Sequence, residues 1–124
     1  MKFNVVLGNP PYQNDSNSRS EALWPKFIKL SYCLSRSYIV LVTPSSWCNL
    51  SKDSNDKELY KIFQTSLEFV DFSNTKKYFP HIGSTFSWFV LNKEKSTNDF
   101  YVQNTNMQTI KMSYADIMWI SQYF

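Results

Sequence analysis

The stretch FNVVLGNPPYQ, residues 3–13, decides the fold. Its opening residues FNVVL (3–7) are apolar and partly β-branched, and they read as a buried strand. Gly8, Pro10 and Pro11 close that strand, because proline fixes φ and carries no N–H to continue a ladder. The turn that results is rigid and poor in donors, with the amide of Asn9 on one side and the phenol of Tyr12 on the other. In an open α/β sheet ligands bind outside the carboxyl ends of the strands, and Asn9–Tyr12 stands at such an end. The turn presents two acceptors, the Asn9 side-chain oxygen and the Pro10 carbonyl, beside the flat Tyr12 ring. That set suits an exocyclic amine on a planar heterocycle, such as N6 of adenine.

Downstream of the turn, QNDSNSRS (13–20) is a polar loop and a candidate substrate-contact loop. A helix follows, with Leu23, Phe27, Leu30 and Leu34 on one face and Pro25 at its first position. YIVLVT (38–43) is a continuous apolar run, as expected of a central strand covered on both faces. PSSWCNL breaks it. DKELYKIFQT (56–65) is a short amphipathic helix with Leu59, Ile62 and Phe63 inward. LEFVDFS (67–73) and TFSWFVLNK (85–93) are two further strands, an antiparallel pair joined by the connector 74–84. DFYVQN (99–104) and TIKMS (109–113) are small strands, and the tail YADIMWISQYF is apolar enough to dock. Strand and helix alternate, which gives an α/β layer: a partial, Rossmann-like sheet, mostly parallel with an antiparallel edge pair. The domain reading is 1–95 as the main unit and 96–124 as a short C-terminal extension.

The 124 residues allow a single domain with a real core. A net charge of +3 permits an anionic partner without requiring one. Ten Phe, eight Tyr and four Trp are enough both to fill a core and to provide stacking surfaces for bases. Cys33 and Cys48 have no partners at zinc spacing and His81 is the sole histidine, so disulfide, metal and Cys–His chemistry lack support. Ser45, Ser46 and His81 come with no nucleophile elbow and do not make a hydrolase. Asp71 reads as a cap or ion-pair residue, and Lys76 and Lys77 as solvated or phosphate-facing. The absence of a signal peptide or an 18-residue apolar run points to the bacterial-type cytoplasm and away from the membrane.

FNVVLGNPPYQ resembles the catalytic motif of N6-adenine DNA methyltransferases, Asp/Asn/Ser-Pro-Pro-aromatic after a strand. YIVLVTPSSWCNL and EFVDFSNTKKYFPHIGSTFSWFVLNK are similar to later strands of the Eco57I-like restriction-modification type. The resemblance covers about residues 1–95. It implies methyl transfer from S-adenosyl-L-methionine to N6 of an adenine flipped out of DNA. Asn9, Pro10, Pro11 and Tyr12 would form the catalytic motif, with Asn9 and Pro10 accepting from N6 and Tyr12 stacking on the base. Phe86 or Trp88, on the same face of their strand, would be a second base contact.

In the family that the chain resembles, a glycine-rich loop, Phe-x-Gly-x-Gly, precedes this motif and holds the methyl donor. Here Gly8 and Gly83 are isolated, so the donor-binding residues are unassigned and the chain reads as the catalytic-motif half alone. Its first strand then becomes an apolar sheet edge that needs covering by a donor-binding subunit, by a second copy, or by the apolar tail. Two functions follow. One is a fragment or subunit of an adenine-N6 DNA methyltransferase. The other is a non-catalytic half-domain that binds DNA or a methyltransferase or restriction partner, as a phage-like anti-restriction decoy would.

Overall fold

A computed structural model of the chain describes residues 2–14, 21–72 and 86–123. The connector 74–84, with Lys76, Lys77, His81 and Gly83, and loop residues 15–20 lie outside them. The described strands are β1 (Phe3–Gly8), β2 (Gln13–Asn14), β3 (Glu21–Ala22), β4 (Ser35–Pro44), β5 (Leu67–Asp71), β6 (Phe86–Asn92), β7 (Asp99–Gln103) and β8 (Thr109–Ser113). Helix α1 (Trp24–Leu34) precedes β4, and α2 (Lys57–Ser66) precedes β5. Two 3₁₀ segments, Ser45–Asn49 and Tyr114–Tyr123, follow β4 and β8.

The main sheet has the order β1-β4-β6-β5-β7-β8, and β2 with β3 makes a small antiparallel ladder. β1 pairs parallel with β4, and β5 parallel with β7, while β6 runs antiparallel to both β4 and β5. β8 is antiparallel to β7. Four strands therefore point one way and two the other, a mixed α/β sheet. The two strands expected to form an antiparallel edge pair, β5 and β6, do pair antiparallel, but inside the sheet and not at its edge, because β6 is inserted between β4 and β5 and β7 continues beyond β5. β7 and β8 form the antiparallel pair at the far edge.

One face of the sheet carries the core. Ile39, Leu41, Phe89, Leu91, Val70 and Val102 share that face through the strand registers and are all buried. Trp24 and Ile28 of α1 and Leu59, Ile62 and Phe63 of α2 close over it. Trp47 stacks on Phe63 with centroids 4.6 Å apart and planes 2° apart, and Phe89 meets both edge-on. Fully burying side chains of this size contributes about 1.5–3 kcal/mol each.

α2 turns Leu59, Ile62 and Phe63 inward as expected, but Asp56 is its cap and not its first residue: it accepts from the Leu59 N–H at 3.1 Å, and Lys29 of α1 pairs with it at 2.8 Å. α1 begins with Pro25 in its first turn, where a missing N–H costs nothing. Its buried face is displaced by one residue from the expected one. Trp24, Ile28 and Ser31 are buried, whereas Leu30 is 53% exposed. Lys93 closes the other end of α1, donating to the carbonyls of Tyr32 and Ser35 at 2.8 and 2.9 Å.

β4 also departs from expectation. Ile39, Leu41 and Thr43 are buried, but Val40 and Val42 on the other face are only half-buried, because no described helix lies over them. The tail does dock, against β7, β8 and the Ser45–Asn49 segment. That places it at the end of the sheet remote from β1, so the described tail does not cover the β1 edge.

Candidate active site

Because β1, β4 and β5 run the same way, their carboxyl ends meet at one end of the sheet, where β6 starts. Asn9–Tyr12 follows β1, Ser45–Asn49 follows β4, and Asp71 ends β5. Pro44 is opposite Phe86 and Asp71 opposite Trp88 in the ladders.

Within the turn, Pro10 is buried while Asn9 and Pro11 are exposed. The Tyr12 hydroxyl donates to Asn9 Oδ1. An amide oxygen has two lone pairs, so this bond orients the Asn9 acceptor and leaves it able to accept once more. The Tyr12 carbonyl accepts from the Leu23 N–H at 2.8 Å, which ties the turn to the start of α1. The half-buried Tyr12 ring lies 4.8 Å from that of Phe86, tilted by 47°. Burial pushes the Tyr12 phenol up, against the opposing effect of its bond to Asn9, so it remains a neutral donor at neutral pH.

Phe86 and Trp88, equivalent in the sequence pattern, are thereby separated. Phe86 is buried against Tyr12. Trp88 instead donates its indole N–H to Asp71 Oδ2 at 3.0 Å and packs on Phe69 at 5.1 Å. Asp71 is buried and accepts from that indole.

Sequence reasoning missed Ser87. On the core face, its hydroxyl accepts from Ser45 Oγ at 3.1 Å and from Trp47 Nε1 at 3.2 Å, fastening the segment after β4 to β6. The only available signal was Trp47 itself, a large residue between polar neighbours. Sequence reasoning also missed a cavity of about 370 Å³ between the two 3₁₀ segments, walled by Cys48, Leu50, Tyr60, Tyr114 and Met118. The buried Tyr114 hydroxyl has no hydrogen-bond partner among the described residues. Burial pushes both the Tyr114 phenol and the Cys48 thiol well above their usual ranges.

A methyl-donor cradle requires backbone that approaches the ligand closely. Gly8, the sole glycine among the described residues, does not provide it: a Cβ there would meet nothing within 4 Å, and no described glycine has a positive φ. The described residues therefore do not fit the donor. Nor do they include a group of three metal-ligating side chains, or a helix long and apolar enough to cross a membrane.

An α/β sheet with an Asn-Pro-Pro-Tyr turn at the carboxyl end of a strand is the arrangement expected of the family that the sequence resembles. The chain belongs to the Eco57I restriction-modification methylase family, whose model matches residues 1–79. It is 35% identical over 52 residues to an uncharacterized adenine-specific methylase of Mycoplasma pneumoniae, a match covering 38% of this chain and 12% of that protein. Its fold is similar to that of the type I restriction-modification methyltransferase subunit from Streptococcus thermophilus, with a TM-score of 0.61 and 17% identity. That likeness covers 98% of this chain and 31% of the other. The type IIG restriction endonuclease BpuSI gives a TM-score of 0.62 at 12% identity, over 97% of this chain and 20% of its own. The chain thus spans a third or less of the length of each of these proteins.

Proposed function

We propose that the chain is the adenine-holding part of an N6-adenine DNA methyltransferase, acting on DNA in a bacterial or phage-infected cytoplasm. One observation carries this reading: Asn9 and Tyr12 are joined at the carboxyl end of β1, with Phe86 behind the Tyr12 ring. A flipped adenine stacked on Tyr12 would direct its N6 amine to Asn9 Oδ1 and the Pro10 carbonyl. Accepting both N6 protons draws the nitrogen lone pair out of conjugation with the ring and makes it a better nucleophile. The Tyr12 phenol positions Asn9, and Phe86 supports Tyr12; Trp88 is a supporting residue held by Asp71. S-adenosyl-L-methionine, when bound, would supply an electrophilic methyl group. Since the described residues offer it no cradle, holding the donor falls to another unit.

The test is a fluorescence titration with an oligonucleotide carrying 2-aminopurine, which brightens when it leaves the stack. Base–aromatic stacking is worth about 1–3 kcal/mol, so Tyr12→Ala should weaken binding by that amount and Tyr12→Phe by much less. Unchanged affinity in a folded Tyr12→Ala variant removes the reading.

A second reading, a non-catalytic half-domain that binds DNA or a restriction partner, is favoured by the open surroundings of Gly8. A labelled-methyl assay on adenine-containing DNA in source-cell extract, with and without the added chain, distinguishes the two. Label incorporated only when the chain is added excludes the second.

A further inference from the structure

We propose that the cavity between the two 3₁₀ segments is a second binding site, which takes the base of a nucleotide by its carbonyl edge, and that the Tyr114 hydroxyl is the group that recognises it. The site is independent of the methyl-transfer reading, since none of Asn9–Tyr12, Phe86 or Trp88 lines it.

At about 370 Å³ the cavity has the size of a small-molecule site, roughly 300–1,000 Å³. The share of one water, about 30 Å³, is far smaller. Its walls change character with depth. Buried Cys48, Tyr114 and Ile117 and half-buried Tyr60 form the inner part. Exposed Lys52, Ala115 and Met118 border the mouth. Few of the waters that such a volume holds can reach the inner hydroxyls, so a flat apolar body displaces them at little cost.

The Tyr114 hydroxyl carries the assignment. Tyr114 is 2% exposed, and its hydroxyl has no hydrogen-bond partner among the described residues. Phenylalanine would make the same edge-on contacts with Tyr60 and Phe100 without burying an unpaired donor. A buried donor that packing does not need, on the wall of a cavity, calls for a partner that enters the cavity.

The inner walls also select what that partner is. Tyr60 and Cys48 both act electrostatically on the Tyr114 phenol, and all three side chains line the cavity. Burial keeps the Tyr114 phenol and the Cys48 thiol in their neutral, proton-bearing forms. O–H and S–H donors therefore converge, and they call for an acceptor. An apolar interior excludes a charged acceptor, which leaves a carbonyl. Tyr60, Tyr114 and the Met118 thioether offer surfaces on which a planar ring packs well. Lys52 at the mouth suits an anionic group on the far side of that ring. Thymine meets each demand, because its O4 carbonyl lies across the ring from the sugar and phosphate. A free nucleotide and an unpaired thymine in a DNA strand present the same chemistry.

The test is NMR of the full chain labelled at its methionine methyl carbons. It is titrated with thymidine, with thymidine monophosphate and with a thymidine trinucleotide. Met118 reports on the mouth, and exposed Met107, between β7 and β8, is the control. All three ligands should move the Met118 methyl saturably and leave Met107 in place. Tyr114→Phe should weaken thymidine and its monophosphate alike, by about three- to tenfold, the usual worth of one hydrogen bond. Lys52→Gln should weaken the monophosphate severalfold and leave thymidine unchanged. Ala115→Trp should block all three, and Tyr12→Ala should change neither thymidine nor its monophosphate. A trinucleotide that binds severalfold tighter than the monophosphate identifies a base in a strand as the occupant, and equal or weaker binding identifies the free nucleotide. The proposal is overturned by the lack of a saturable Met118 shift at millimolar thymidine monophosphate, by affinity indifferent to Tyr114→Phe, or by loss of binding on Tyr12→Ala. Binding that survives Ala115→Trp overturns it as well, whatever Tyr114→Phe does to stability.

Discussion

The Tyr12 ring rests against Phe86 with centroids 4.8 Å apart, linking a turn near the amino terminus to the first residue of a strand more than seventy positions later. Tyr12 is half-buried and also packs against the edge of the core, while its neighbours Asn9 and Pro11 are exposed. Phe86→Leu should therefore keep most of the core volume yet loosen the phenol. The expected result is weaker 2-aminopurine binding with a small stability change, below about 1.5 kcal/mol for a substitution that largely conserves volume. Phe86→Ala should cost about 3–5 kcal/mol in chemical denaturation. Binding that survives Phe86→Leu in full would mean Tyr12 positions itself.

Ser87→Ala tests the other face of the same strand. The substitution removes the acceptor of both Ser45 Oγ and Trp47 Nε1, which are buried. A buried donor left unpaired costs about 1–3 kcal/mol. Urea denaturation followed by tryptophan fluorescence should show a loss in that range, and Ser87→Thr should recover part of it. A neutral Ser87→Ala would show that water replaces the hydroxyl.

What the sequence could and could not convey is visible in particular residues. The strand at FNVVL and its stop were legible because two prolines act through local covalent geometry, but the burial expected of it is not found: Phe3, Val5 and Leu7 are exposed on an edge strand of the described sheet. α2 was legible because the Leu59, Ile62, Phe63 spacing encodes its inward face, while the capping role of Asp56 showed only in the structure. α1 was misregistered because it is apolar nearly all round: Leu23, Trp24, Phe27, Ile28, Leu30 and Leu34 offer two competing faces. Its contact with β4 selects the one that buries Trp24 and Ile28. The position of β6 between β4 and β5 is a matter of non-local pairing, which no local pattern carries. Likewise, alternation could place Phe86 and Trp88 on one face but could not separate them. That depended on the Asp71–Trp88 register, which brings together residues on different strands.

The Asp56 carboxyl gives a pH dependence with a definite sign. Burial works against its charge, but the bond from Lys29, the Leu59 N–H and the Lys29 charge outweigh it and hold the group below its usual range. A carboxyl depressed in the folded state contributes stability that is present above its unfolded value, about 4, and lost as pH falls through the lower folded value. Asp56→Asn keeps a capping oxygen and removes the charge. The wild type should melt higher than this variant at pH 6, and the difference should shrink as pH falls below about 4. A difference that is independent of pH would assign the effect to capping geometry.

Tyr114→Phe should not destabilise the protein, although Tyr114 is almost fully buried. Its ring packs edge-on against Tyr60 and Phe100, at 5.9 and 6.2 Å, and phenylalanine preserves those contacts. Its hydroxyl, in contrast, is buried with no described partner, and an unsatisfied buried polar group costs about 1–3 kcal/mol. Deleting that oxygen removes the penalty and leaves only a small void beside the existing cavity. The expected outcome in urea denaturation is a midpoint equal to or above that of the wild type. A loss of more than about 1 kcal/mol, the usual net worth of one hydrogen bond, would show that the hydroxyl is satisfied in solution, by water in the cavity beside Cys48 and Tyr60.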